Sequence, residues 1–421
     1  MKEDAQLNNL DALNEKYSIR NGIAQAIALN GSNSYFSLFA ISVLSVTNYQ
    51  VGLINSLPQF MGMFGMLIGS IILNRLTEKK VFTALAFLIT RIFLLAMIFV
   101  VYVPSTYAGW TFVLLIGLMN IPGAFATLSW QSLIGDMITD VRRNTFFSLR
   151  NKFLTFVGMS FTVIIGIFLS FFAENNPFPY QSIFLVAFLA GLVEVYYLFR
   201  HVEKKKEKRT SKKSYRINFS AFSHKPFVVF LVCGLLFNFT WQMAWSLFSI
   251  YQIKYAGATG VWISAISVTS LIGQIISYKW WGRMADKYGN HLMMIPVSIG
   301  MATAPVLNIL STNLIYLTVI NAVAGLFISG TVLLLFNLLL EVTTDENRDS
   351  CISNYNILLA IIGFIAPQIG VYLLEKYSMN TAMITSTIAR LLSGGSFFFL
   401  YVYLQKISTN PVMISEKSRT S

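Results

Sequence analysis

Charge is what this chain has least of. Only 12% of its 421 residues are charged, with 18 acids against 31 bases, whereas soluble domains carry about 25%. Half the usual charge cannot cover a water-facing surface, so a soluble enzyme is not expected. Cysteine is nearly absent: Cys233 lies in an apolar run and Cys351 beside a charged loop, which gives a disulfide or a metal cluster nothing to build on. His201, His224 and His291 are scattered at the edges of apolar runs. With no Ser/His/Asp, metal or phosphate-loop constellation, no catalytic residue, bound metal or cofactor is expected. Nor is a cleavable leader, because residues 1–19 are polar and hold Glu3, Asp4, Asp11 and Glu15.

What the chain has instead is apolar length. Hydrophobic residues make up 55% of it and aromatics 14%, and a membrane-spanning helix needs about 20 consecutive apolar residues. Runs bounded by charges or turn residues give twelve candidate spans: 21–44, 51–73, 81–103, 110–134, 146–172 and 181–199, then 227–253, 260–281, 292–310, 314–340, 351–374 and 379–404. They are too long and too unalternating for barrel strands. The expected class is an all-α membrane protein of twelve transmembrane helices in two six-helix bundles. Residues 1–19 form an N-terminal segment, 20–200 the first bundle, 201–225 a linker, 226–405 the second bundle and 406–421 a tail.

Lysine and arginine orient the spans. Arg91 and Arg390 fall inside spans, and Lys254 and Lys376 lie on one side. All the rest of the 31 bases lie on the side of both termini, including the four of the fourth connection from Arg142 to Lys152. Both termini are therefore expected in the cytoplasm of a multi-pass plasma-membrane protein. This topology accounts for the net charge of +13 without a nucleic-acid partner. The basic linker, with KKKEKR and SKKSYR, reads as a tether held out of the membrane by its charge.

The two halves echo one another. At a constant offset of 205, Asp136 aligns with Glu341, Thr139 with Thr344, Asp140 with Asp345 and Arg143 with Arg348. In the same register Ser148 aligns with Ser353, Asn151 with Asn356, Leu154 with Leu359 and Gly158 with Gly363. A second echo pairs NRLTEKK with GRMADKYG, so that Arg75 matches Arg283 and Glu78 matches Asp286. Folds built from such parallel repeats bind solute near mid-membrane and work by rocking.

On these residues the chain resembles a major facilitator superfamily transporter over essentially its whole length. The family's loop pattern is kept in the second half as Gly282, Asp286, Lys287 and Gly289, with Asn290 and His291 where basic residues are usual. The first-half copy departs from it, with Asn74 for glycine and Glu78 for aspartate. The resemblance implies a secondary transporter of a small organic solute working by alternating access. Export of an amphiphilic compound is preferred to uptake of a neutral solute such as a sugar. A non-transporting membrane sensor is the alternative of another class. The expected partners are the solute and the bilayer, with a coupling proton left open, and the chain is expected to be a monomer.

By the same resemblance, a cytoplasmic latch falls to Arg75, Glu78, Gly282, Arg283, Asp286 and Gly289, with Asp136, Arg143, Glu341 and Arg348 as partners. Helices 1, 4, 7 and 10 would line the cavity, which makes Asn30, Asn33, Tyr35, Gln131, Asn238, Trp241, Gln242, Trp245 and Asn337 the candidate solute ligands. The competing reading of each amide is a bond to a neighbouring helix. Arg91 and Glu194 lie about 15 Å and 7.5 Å from the cytoplasmic ends of their spans at 1.5 Å per residue. A structural ion pair between them is preferred to a role in proton coupling. Arg390 has no partner legible in the sequence.

Overall fold

The computed structural model describes residues 2–409, apart from 74, 77, 139, 204–218 and 345–346, and omits the side chains of 2–9, 11, 136, 140–144, 219–220 and 407–409. The basic core of the linker, and the latch candidates Asp136 and Arg143, therefore fall outside the described residues or side chains. The described secondary structure is helical. In chain order the helices are α1 (Lys2–Ser32), α2 (Phe36–Ser42), α3 (Asn48–Leu73), α4 (Lys80–Met97), α5 (Ser105–Met137), α6 (Asp140–Leu169) and α7 (Pro177–Phe199). They continue with α8 (Lys225–Met243), α9 (Trp245–Ile250), α10 (Gly260–Tyr288), α11 (Asn290–Ile309), α12 (Leu314–Glu341), α13 (Arg348–Lys376) and α14 (Met379–Thr409).

Eleven of these spans are long and apolar enough to cross a membrane. The twelfth, at the amino end, is more polar, and a 3-10 turn at Asn33–Tyr35 separates α1 from α2. Two helix starts, those of α7 and α12, carry asparagine caps. The Asn176 side chain accepts from the Phe178 amide, with Pro177 in the first turn, and Asn313 accepts from the Ile315 and Tyr316 amides. Each cap satisfies donors that a helix start leaves unpaired.

The chain divides into two compact units, Met1–Tyr215 with Gly257–Val268, and Arg216–Ala256 with Thr269–Ser421. In the first, α1 packs on α6 and α7, α5 on α3 and α4, and α4 on α7. Small residues set the spacing: a methyl group at Gly65 would meet the Ile121 carbonyl at 2.6 Å. Close backbone approach of this kind is how helices associate where lipid offers no hydrophobic drive. Phe36, Phe39, Phe112 and Phe184 stack edge-on or tilted, with centroids between 5.1 and 6.4 Å.

In the second unit, α8 packs on α13 and α14, and α11 on α12 and α14. Ser277 and Ser329 share a hydrogen bond at 2.6 Å, and the Trp281 Nε1 donates to the Leu326 carbonyl at 2.7 Å, which ties the end of α10 to α12. The seventh span is not one helix: α8 stops at Met243, α9 restarts at Trp245, and a π-turn follows at Tyr251–Tyr255.

Candidate functional site

A cavity of about 380 Å³ opens inside the first unit, between α1, α3, α4 and α5. Leu29, Met66, Phe87, Met119 and Leu128 form its apolar wall, while Asn33, Asn120, Gln131 and Arg91 supply polar groups. The volume lies in the ordinary range for small-molecule sites, about 300–1,000 Å³. Of the candidate solute ligands, Asn33 and Gln131 line this cavity, and both are exposed. Asn30 does not: its amide donates to the Ala26 carbonyl at 2.8 Å and lies against Gly158. Tyr35 is fully buried, with its hydroxyl donating to the Thr162 carbonyl at 2.7 Å and sharing a bond with Ser264 at 2.6 Å.

Beside the cavity is a buried charge cluster. Arg91 and Glu194 are brought together, the Arg91 Nη2 lying 2.8 Å and the Nε 2.9 Å from the Glu194 Oε2. Gly191, one turn before Glu194 on α7, leaves room for the Arg91 stem, since a methyl group there would meet the Arg91 Cδ at 2.6 Å. Arg150 of α6 joins the cluster, its guanidinium carbon 4.2 Å from the centre of the Trp130 ring. Its hydrogen bonds are long, both 3.4 Å, to the Ser18 carbonyl and to the Gln25 Oε1. The Glu194 Oε1, Asn21 Oδ1 and Ser18 Oγ are buried without a hydrogen-bond partner among the described residues. One correction concerns Arg150. The sequence reading counts it among the loop charges of the fourth connection, but it is 5% exposed and sits within the span Thr145–Leu169. The flat face of Trp130, about two turns of α5 from its carboxyl end, gives its guanidinium an alternative to water.

In the second unit the Asn238 amide donates to the Gly234 carbonyl at 2.8 Å and to the Tyr355 hydroxyl at 3.0 Å. Trp241 and Trp245 meet edge to face at 5.9 Å across the break between α8 and α9. Gln242 is buried, with its Oε1 unpartnered among the described residues. The Asn337 amide donates to the Asn290 Oδ1 at 3.1 Å.

Arg390 is fully buried and its partners are backbone carbonyls. Nη2 donates to Trp241 at 2.8 Å, Nη1 to Met301 at 2.8 Å and Nε to Thr240 at 3.3 Å. Thr240 and Trp241 belong to the last turn of α8, whose carbonyls lose their intrahelical donors at the break. That end also carries about half a negative charge, so the break itself supplies the counter-charge for the guanidinium.

The latch candidates are at helix ends. Arg283 is exposed and donates to its own helix at the Lys279 carbonyl (3.4 Å), and Asp286 is exposed with no side-chain hydrogen bond or ion pair among the described residues. Glu341 is met by the Asn290 amide at 3.3 Å and lies 3.7 Å from the His291 Nδ1. Gly289 has φ +88°, a conformation that strains any residue with a β-carbon, whereas Gly282 faces open space. Arg348 opens α13. Arg75 and Glu78 are exposed. The carboxylate that caps α4 is Glu203, accepting from the Lys79 and Lys80 amides at 2.9 and 3.1 Å.

Next to that cap, His201 is 1% exposed, and its Nδ1 donates to the Tyr197 and Leu198 carbonyls at 2.9 and 3.2 Å. Burial, with a smaller contribution from Lys80 and Arg150, holds its pKa down to about 4. Sequence reasoning missed Thr90, Gly123 and Thr127 as cavity walls and missed the link from Gln25 to Arg150. The interruption of apolar sequence by Thr90 and Arg91 on one helix is the signal that pointed there.

The sequence profile of the Major Facilitator Superfamily matches residues 22–280 and 263–416. No curated protein matches the chain. Among solved structures, the fold is similar to the nucleoside transporter NupG, with a TM-score of 0.74 at 14% identity over 93% of this chain and 99% of that one. It is also similar to a bacterial homolog of the human lysosomal transporter Spinster in an inward-facing, occupied conformation, with a TM-score of 0.69 at 11% identity over 92% and 97%. A D-xylose–proton symporter follows, with a TM-score of 0.66 at 11% identity over 91% and 96%.

Proposed function

The chain belongs to the Major Facilitator Superfamily, and from that premise we propose that it exports a small amphiphilic organic compound across the plasma membrane by alternating access. The observation that carries this reading is the cavity of about 380 Å³, in which Leu29, Met66 and Phe87 form one wall while Asn33, Asn120, Gln131 and Arg91 supply polar groups. An apolar body with one polar end fits such a lining better than a uniformly hydroxylated solute does. The sequence asymmetry of lysine and arginine supports both termini in the cytoplasm. On the same side, the repeated loop charges form the latch, with Asp286 exposed and open to a change of partner. The chain works as a monomer, and a coupling proton remains compatible with it.

Uptake of a neutral solute is the second reading. The amides of Asn33, Asn120 and Gln131 favour it, as does the presence of a nucleoside transporter and a D-xylose–proton symporter among similar folds. Comparing small molecules in medium and cells separates the two. Export predicts a compound enriched in the medium on overexpression and retained in cells on deletion, and uptake predicts the opposite. No displaced solute in either strain would count against transport.

A further inference from the structure

The buried cluster of the first unit does not balance its charge. Two guanidiniums, Arg91 and Arg150, face one carboxylate, and Glu194 is the one acid within electrostatic reach of Arg150 among the described residues. Arg91 is 2% exposed, Arg150 5% and Glu194 0%. An uncompensated charge at such depth is costly unless something pairs with it. The protein's own groups pair it poorly. Both hydrogen bonds of Arg150 are at 3.4 Å, beyond the usual 2.7–3.2 Å of an N–H···O bond. Arg91 commits Nε and Nη2 to one oxygen of Glu194, yet it still forms part of the cavity wall. Gln25 lines the cavity too, and its Oε1 is the atom that Arg150 reaches. The unpaired positive charge is thus continuous with an open, partly apolar chamber.

We propose that this cavity binds the carboxylate of an amphiphilic organic monoanion, held at its charged end by Arg91 and Arg150. One surplus guanidinium matches one negative charge, whereas a doubly charged phosphate ester would leave the cluster negative. Arg91 offers the edge not engaged with Glu194, and Arg150 exchanges its long bonds for a charge-assisted one. The apolar body lies against Leu29, Met66 and Phe87. This deepens the transport reading by naming its substrate class, but binding is measurable without transport.

The test is calorimetric titration of the full-length protein in detergent at pH 7 with four probes on one phenylalkyl body: 4-phenylbutyrate, 4-phenylbutanamide, 4-phenylbutylamine and 3-phenylpropyl phosphate. The carboxylate is expected to bind at least tenfold more tightly than the amide, and the amine more weakly than either. Arg150→Gln brings the carboxylate-to-amide ratio within threefold, while Arg150→Lys keeps most of the preference. Equal affinity for carboxylate and amide, no binding of the carboxylate, or an unchanged ratio in folded Arg150→Gln each overturns the proposal. Preference for the phosphate overturns the monoanion assignment. The wild-type ratio decides the matter by itself where Arg150→Gln does not fold. The comparison of medium and cells reads transport separately. A neutral solute exported without anion preference overturns this site alone, and an anion preference with no solute displaced overturns the transport reading alone.

Discussion

Replacing Arg390 with methionine keeps most of the side-chain volume and removes the guanidinium's three hydrogen bonds at the break between α8 and α9. Three buried hydrogen bonds are then lost, to the carbonyls of Thr240, Trp241 and Met301, of which Thr240 keeps the Ser386 hydroxyl at 3.4 Å. Interhelical hydrogen bonds within membranes average about 0.6 kcal/mol and reach about 1.7, so three lost together cost roughly 2–5 kcal/mol. For a unit of some 200 residues, each kcal/mol moves the midpoint by about 2–4 °C, which puts the expected fall in Tm at roughly 4–20 °C. Arg390→Lys retains the charge that the carboxyl end of α8 favours but cannot span three acceptors, and should fall between the two. The assay is thermal unfolding of detergent-purified protein, with hydrogen exchange following the amides around Ala244. A methionine variant melting within 1 °C of wild type, or a lysine variant no better than methionine, would refute the assignment of the guanidinium as the counterpart of the helix break.

Three further outcomes follow from other sites. Gly191→Ala forces the Arg91 stem aside and should destabilise by about 1–3 kcal/mol, read as a lower Tm; no change would mean the stem shifts freely. Unfolded histidine protonates near pH 6.5, while burial holds folded His201 at about 4. Between those values the unfolded state binds the extra proton, so stability is complete above about pH 6.5 and falls by about 3 kcal/mol as pH drops to 4. His201→Leu should flatten that part of the Tm–pH curve, and an unchanged slope would assign it to other groups. Asp286→Asn should reduce solute movement with normal membrane insertion, and undiminished transport would speak against the latch.

The fold was legible because apolar length survives as sequence: the runs at 51–73 and 314–340 are nearly the observed α3 and α12. The first span was the hardest to read, since Asn30, Asn33 and Ser34 dilute its hydropathy just where the helix breaks into a 3-10 turn. Part of the cavity could be named in advance, because exposed amides such as Asn33 and Gln131 have little reason to sit in a span unless something polar meets them. Arg150 was misassigned because it follows Arg142 and Arg143 closely, and nothing local marks the Trp130 face that draws it inward. Arg390 was unreadable for a more general reason. Its acceptors are main-chain oxygens, which every residue carries, and they became available only because a helix stops at Met243.

The notch at Gly191 has a mechanical consequence. With the stem of Arg91 threaded past it and the guanidinium fastened one turn further along, α4 can neither slide nor roll against α7 without dragging a charge out of its socket. Those two helices travel as a single strut. Whatever reshaping the chamber undergoes when a solute enters or leaves must come from its remaining walls, α1, α3 and α5, whose contacts there are made by amides and flexible methionines that tolerate being rearranged.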